Sequence, residues 1–188
     1  MIQIRSDVFE TNSSSAHTIA VKKQDEYDYD LSWYYHYDED GKEDETTLDF
    51  RCFFHQDFGR SPFDILDTTA RKLPYFVSTF GFKKMKKIIL KCCPNIKHVI
   101  KKPAYSKWDD PDMKDGIDHQ SYGMLEHFIE KNNLTIEEAL FNNKYIIIID
   151  GDEYDVWGKM INCGLINTNN LEDLGKNSYF DGDSYDTN

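Results

Sequence analysis

Three short polar groups in this 188-residue chain combine residue types that can do chemistry. The first is "FETNSSSAH", residues 9 to 17, where Asn12, Ser13, Ser14, Ser15 and His17 stand between two apolar, strand-like runs. Asn and Ser side chains bond neighbouring backbone N–H groups, so the stretch can simply build tight turns. The same turn, facing outward, presents consecutive N–H groups and hydroxyls as an anion-binding nest for phosphate oxygens. His17 follows Ser15 by two residues, which puts both side chains on one face of an extended segment. A neutral imidazole there serves as general base or acid, and a protonated one as a cation for phosphate. Ser15 is the candidate nucleophile, although no Gly-x-Ser-x-Gly elbow surrounds it.

The second group is "DHQS", Asp118 to Ser121, just ahead of a helical pattern. Free N–H groups and the dipole at a helix N-terminus attract anions, so His119, Gln120 and Ser121 could surround a phosphate or carboxylate; a plain cap with an incidental histidine is the simpler alternative. The third is Asp150 and Asp152 at the end of "YIIIID". Two carboxylates one residue apart at the carboxyl end of a central strand can hold Mg²⁺ or Mn²⁺, and an Asp-Gly-Asp turn alone also accounts for them. The echo "DGDEYD" at 150–155 and "DGDSYD" at 181–186 fails the calcium-loop pattern, which wants glycine at the sixth place.

The elements that must position these groups read as α+β: N-terminal antiparallel strands and hairpins, then helices, then a buried central strand at about residues 145–150. Met1 to Ile4 and His17 to Lys22 are strand-like, and Leu31 to Tyr37 with Thr46 to Phe54 flank the charged hairpin tip "DEDGKEDE". Ser61 and Pro62 open a helical pattern through Phe63, Leu66 and Ala70 that Pro74 should end or bend. "FKKMKKIILKCCP" predicts a basic amphipathic helix, and Ile96 to Lys101 a short strand. Lys102 to Ile117 reads as a long loop. Ser121 is the expected cap of a helix through Leu125, Phe128 and Ile129, and Thr135 with Glu138 forms a capping box for the next. "DEYDVWGKMINCG" predicts a last helix stopped by Gly164. Residues 1–166 form the expected single domain and 167–188 a polar tail.

Composition narrows the setting. The chain carries 12 Tyr, 12 Phe and 3 Trp, enough large rigid surface to fill a core although only 39% of residues are hydrophobic. Its four cysteines match neither a zinc pattern nor a secreted disulfide framework. No apolar stretch approaches the roughly 20 residues of a membrane span, and no signal peptide opens the chain, so a cytoplasmic protein without membrane contact is expected. The net charge of −12 is unevenly spread. Eleven acidic residues fall between Asp25 and Asp49 against one lysine, whereas Phe82 to Lys102 holds eight lysines and no acid.

"RSDVFETNSSSAHTI" resembles the N-terminal signature of a family of small uncharacterised proteins from bacteriophages and low-GC bacteria that begin "VFETNSSS-x-H"; "DHQS" and "IIIIDGDE" are similar to later segments of that family. The resemblance implies a phage or mobile-element origin, hence a host-cell cytoplasm. It marks Asn12, Ser13, Ser14, Ser15, His17, His119, Gln120 and Ser121 as positions to follow and assigns them no roles. Two functions are then open. In the first, the Ser-rich turn, His119 and Asp150 converge on a phosphate-bearing small molecule, a nucleotide or nucleic-acid end, with His17, His119 and Ser15 as catalytic groups of a phosphate-ester or nucleotide-processing enzyme. In the second, the chain is a non-enzymatic phage inhibitor of a host defence or nucleic-acid enzyme, with Asp38, Glu39, Asp40, Glu43, Asp44 and Glu45 imitating a phosphate backbone toward that host protein. Direct nucleic-acid contact through Lys83, Lys84, Lys86, Lys87 and Lys91 is opposed by the overall acidity.

Overall fold

The structure, a computed structural model, describes residues 17–22, 24–52, 58, 64–101, 112–114, 116, 117, 121, 123–149 and 179–181, with backbone alone at 18, 52 and 179–181. The described strands are β1 (His17–Val21), β2 (Tyr35–Tyr37), β3 (Glu43–Asp49), β4 (Asp64–Leu66), β5 (His98–Ile100), β6 (Tyr145–Ile149) and β7 (Tyr179–Asp181). The described helices are α1 (Thr69–Phe80), α2 (Phe82–Cys92), α3 (Met124–Lys131) and α4 (Ile136–Phe141). The fold is therefore α+β, with antiparallel strands ahead of the helices and a buried strand at 145–149.

One sheet has the order β4-β6-β1-β7 and is antiparallel throughout. Its centre is β6, whose four isoleucines are all buried. Successive side chains of a strand point to opposite faces, so burial of all four means both faces are covered. Ile147 and Ile149 join the main core with Leu73, Phe76, Met85, Ile89, Leu140 and Phe141. Residues 179–181, inside the stretch expected to be a polar tail, pair with β1 as an edge strand. A smaller sheet, β2-β3-β5, holds the acidic hairpin, with β3 and β5 parallel. At its tip Asp38 Oδ1 accepts from the N–H groups of Asp40 (3.0 Å) and Lys42 (2.8 Å), and Gly41 supplies the positive φ.

Three local expectations are corrected. Ile65 and Leu66 are strand, paired with Ile148 and Ile147, and helix α1 starts later, where Thr68 Oγ1 accepts from Arg71 N–H. Long-range pairing with the central strand wins over the local helical spacing. Pro74 does not end α1, one of the two outcomes expected of it; it lies inside the helix. Proline cannot supply the N–H that would bond the Ala70 carbonyl one turn back, and the Tyr34 hydroxyl donates to that carbonyl instead, at 2.7 Å. Finally, Ser121 is not the cap of α3: Gly123, in the left-handed region at φ 84°, holds that place without a side-chain bond. The capping box of α4 stands as expected, with Thr135 N–H bonded to Glu138 Oε2 at 2.7 Å and Glu138 N–H to Thr135 Oγ1 at 3.1 Å.

Candidate functional site

His17 opens β1 directly opposite Ile149, the last residue of β6. Residues facing each other across an antiparallel pair share a face, so the imidazole turns into the core beside Ile149. It is buried, with Nδ1 2.8 Å from the hydroxyl of the fully buried Tyr75 and the two rings edge to face at 5.5 Å. Burial pushes the Tyr75 hydroxyl far above the ordinary phenol range, and the nearby Glu126 carboxylate adds to the shift. Tyr75 is thus a fixed neutral group. Glu126 stands in the first turn of α3, and its Oε2 is buried without a hydrogen-bond partner. The ring of Phe58 closes on the other side of Tyr75 at 4.9 Å, and Phe58 bridges to Ile117 in the backbone.

Of the residues expected to form the site, His17 and Ser121 are described, and both are buried. Asn12, Ser13, Ser14, Ser15, His119, Gln120, Asp150 and Asp152 lie outside the described residues. Among the described residues no group of three or more His, Cys, Asp or Glu could hold a metal ion, and no helix is long and apolar enough to cross a membrane. Tyr75 and Glu126 carry no motif. Tyr75 stands on the buried face of α1, the one feature that could have drawn attention to it, whereas Glu126 is half-buried in the first turn of α3.

A second assembly is exposed. Tyr37 faces Glu43 across the β2–β3 pair, and Glu45 follows on the same side of β3. Cross-strand partners and residues two apart share a face. Tyr35 reports how the charges gather: burial raises its hydroxyl, and the carboxylates of Glu45, Asp30 and Glu43 raise it further, against a bond from Asn95. Ahead of the hairpin in the chain runs the 25–30 segment. Along that segment Tyr29 stacks on buried Phe141 at 4.8 Å and Tyr27 on Tyr29 at 6.5 Å. Trp33, Tyr37, Tyr27 and Tyr29 are 68%, 57%, 54% and 52% exposed, unusual for side chains of this size.

The acidic segment is held down by a half-buried polar network. Asp28 Oδ2 accepts from Thr69 N–H at the start of α1 and from Asn143 Nδ2, each at 3.1 Å. Asn142 Nδ2 donates to Asp25, while Asn142 Oδ1 accepts from the N–H groups of Glu26 and Lys144. Burial would raise the Asp28 carboxyl, but bonds from Asp30, Asn143 and Thr69 and the charge of Lys72 together hold it below the usual carboxylate range. Lys72 is fully buried in α1, and its ammonium donates to the carbonyls of Ala139 (3.1 Å) and Asn142 (2.9 Å) at the end of α4. Burial pulls it down to about 7, against the pull of Asp28. In the sequence, Lys72 is one more lysine on a helix, with no signal of its burial.

No protein-family model, curated protein or solved structure matches the chain.

Proposed function

We propose that the chain is a non-enzymatic binding protein whose acidic, aromatic face occupies the basic groove of a nucleic-acid-binding protein, in keeping with a phage inhibitor of a host enzyme. One observation carries the reading: exposed Tyr37 faces Glu43 directly across the β2–β3 pair, and exposed Glu45 follows on the same side of β3, so carboxylates and an aromatic ring share one open face. Carboxylates two apart on β3 stand roughly 6.7 Å from each other, a spacing that a basic groove built for regularly repeated phosphates can read. Exposed Trp and Tyr provide the anchors that carry affinity once the charges have steered the encounter. Immobilised protein should capture basic nucleic-acid-binding proteins at about 50 mM salt, release them as salt screens the charges, and lose them to competing duplex DNA. The variant Glu43→Lys/Glu45→Lys should capture none. Capture that neither salt nor DNA displaces overturns the reading.

A second reading keeps a phosphate-bearing ligand at the Ser-rich turn, with Mg²⁺ or Mn²⁺ on Asp150 and Asp152. It is favoured by where the described borders of the three polar segments fall: His17 bonds Tyr75, Ile149 faces His17, and Ile117 bridges to the residue whose ring packs on Tyr75. A nucleotide at about a hundredfold over its dissociation constant would add roughly 2.7 kcal/mol to stability. A rise in melting temperature with nucleotide and Mg²⁺ that His17→Ala abolishes supports this reading; no rise across nucleotides and dinucleotides removes it.

A further inference from the structure

The basic helix predicted from the sequence folds as α2, with Phe82, Met85, Ile88 and Ile89 buried. That leaves Lys83, Lys84, Lys86 and Lys87 on the outer side, where none of them forms an ion pair among the described residues. Lys91, one turn on, is bonded to Glu137 of α4 at 2.9 Å. Lys86 and Lys101 both approach the ring of Phe82, at 5.8 and 5.7 Å from its centre, and Lys84 that of Phe80 at 4.9 Å. Aromatic rings thus tether several like charges close together. Among the described residues, the carboxylates that face this surface are Asp112, which accepts from Lys83 N–H at the start of the helix, and Glu137, which feels both Lys91 and Lys84.

We infer that the outer face of α2 is a docking surface for the phosphate backbone of a nucleic acid. The eleven residues of α2 rise about 16 Å, a length along which one DNA strand presents about five phosphates. Lysines are flexible point charges suited to phosphates without regard to base sequence. The exposed aromatics that would anchor a protein partner belong to the 27–37 segment and not to α2. The net charge of −12 does not oppose this contact. Beyond a Debye length of about 10 Å at 0.1 M salt, distant carboxylates are screened from a phosphate seated on the helix.

The test is fluorescence anisotropy of a labelled duplex, and of a single strand of the same length, titrated with the full chain between about 50 and 200 mM salt. Four phosphate contacts predict a log–log salt slope near −3.6 on duplex, an affinity loss of about 150-fold over that range. Lys83→Gln/Lys87→Gln should lower the slope by about 1.8 and the loss to about 12-fold, while Glu43→Gln/Glu45→Gln, on the face given to the proposed protein partner, should leave the slope unchanged. No binding to either probe at about 50 mM overturns the inference, as does a slope that the lysine variant does not alter. A lysine variant that changes self-association in sedimentation instead of DNA affinity assigns the surface to the acidic face of a second copy, and also overturns it.

Discussion

Lys72 makes the stability of this protein depend on pH in a direction opposite to that of a lysine held by a partner carboxylate. Its fall from 10.5 to about 7 on folding corresponds to about 5 kcal/mol against the charged form, at 1.36 kcal/mol per pH unit. Below pH 7 the lysine is protonated in both states and the folded protein carries the full cost of a buried charge. Between 7 and 10.5 the unfolded chain binds the extra proton, so stability rises with pH. Integrated from pH 7 to pH 8, before cysteine thiols titrate appreciably, the gain is about 1 kcal/mol. Urea unfolding at the two pH values should show it in the wild type and not in Lys72→Met. The variant has an offsetting defect: the carbonyls of Ala139 and Asn142 lose their donor, which costs about 1–3 kcal/mol for a buried acceptor. The expected pattern is a variant that is the more stable of the two at pH 7, where wild type carries the buried charge, and whose advantage shrinks by about 1 kcal/mol at pH 8. A wild type that gains nothing on the variant between the two pH values refutes the argument, because it would mean that Lys72 keeps its proton on folding.

Three further outcomes follow from the geometry. Tyr34→Phe strands the Ala70 carbonyl that Pro74 cannot serve, and should destabilise by about 1–3 kcal/mol in urea, whereas the double change with Pro74→Ala should recover most of the loss; a neutral single variant would show that the hydroxyl is dispensable. Gly81 sits at φ 84°, ψ 152°, and a Cβ there would collide with the Asp112 side chain; Gly81→Ala should therefore cost at least about 2 kcal/mol, and a cost below about 0.5 kcal/mol in the same assay would contradict the strain. Asp44, held down to about 2 by bonds from Thr46 and Thr47, should titrate there by carbon-detected NMR. Thr46→Ala should move the midpoint up toward the ordinary value, and the native state should lose stability as pH falls through the ordinary range toward 2; an unchanged midpoint in the variant would reassign the cause.

How much could be read in the chain depended on whether the deciding contact was local. The α4 capping box lies within four residues, and α2 displays its buried face at helical spacing, so both are legible. The unbroken "IIII" of β6 announces its central place for the same reason. Leu66 sits at helical spacing with Ala70 and Ile65 is beside it, yet the partners of Ile65 and Leu66 are Ile148 and Ile147, far along the chain, and nothing nearby reveals them. Pro74 reads as a breaker until Tyr34 is brought beside Ala70 by the fold. At the candidate site the sequence shows which residues are chemically able but not who neighbours them: His17 was legible as a titratable group, while Tyr75 and Glu126 became its surroundings only through the packing of α1 and α3 on β1. The acidic face was legible as charge and its flanking strands as aromatic anchors, while which rings stay exposed was not.

The antiparallel sheet also sets a timetable. β1 pairs on one side with β6, His17 opposite Ile149, and on the other with β7, Ala20 opposite Phe180. Neither neighbour exists when β1 leaves the ribosome. At 5–20 residues per second, the interval before β6 has been made is roughly 6 to 25 s, and throughout it Ile19 and Val21 have no strand to lie against. Such pairing across most of the chain is slow to form even in a finished polypeptide, because loop closure must come before any reward from contact. The hairpin of β2 and β3, joined by a tight turn, has its strands close together in the chain and waits only for β5 to complete its sheet. The acidic surface is thus made first, and the sheet that holds His17 is closed only after most of the chain has been translated.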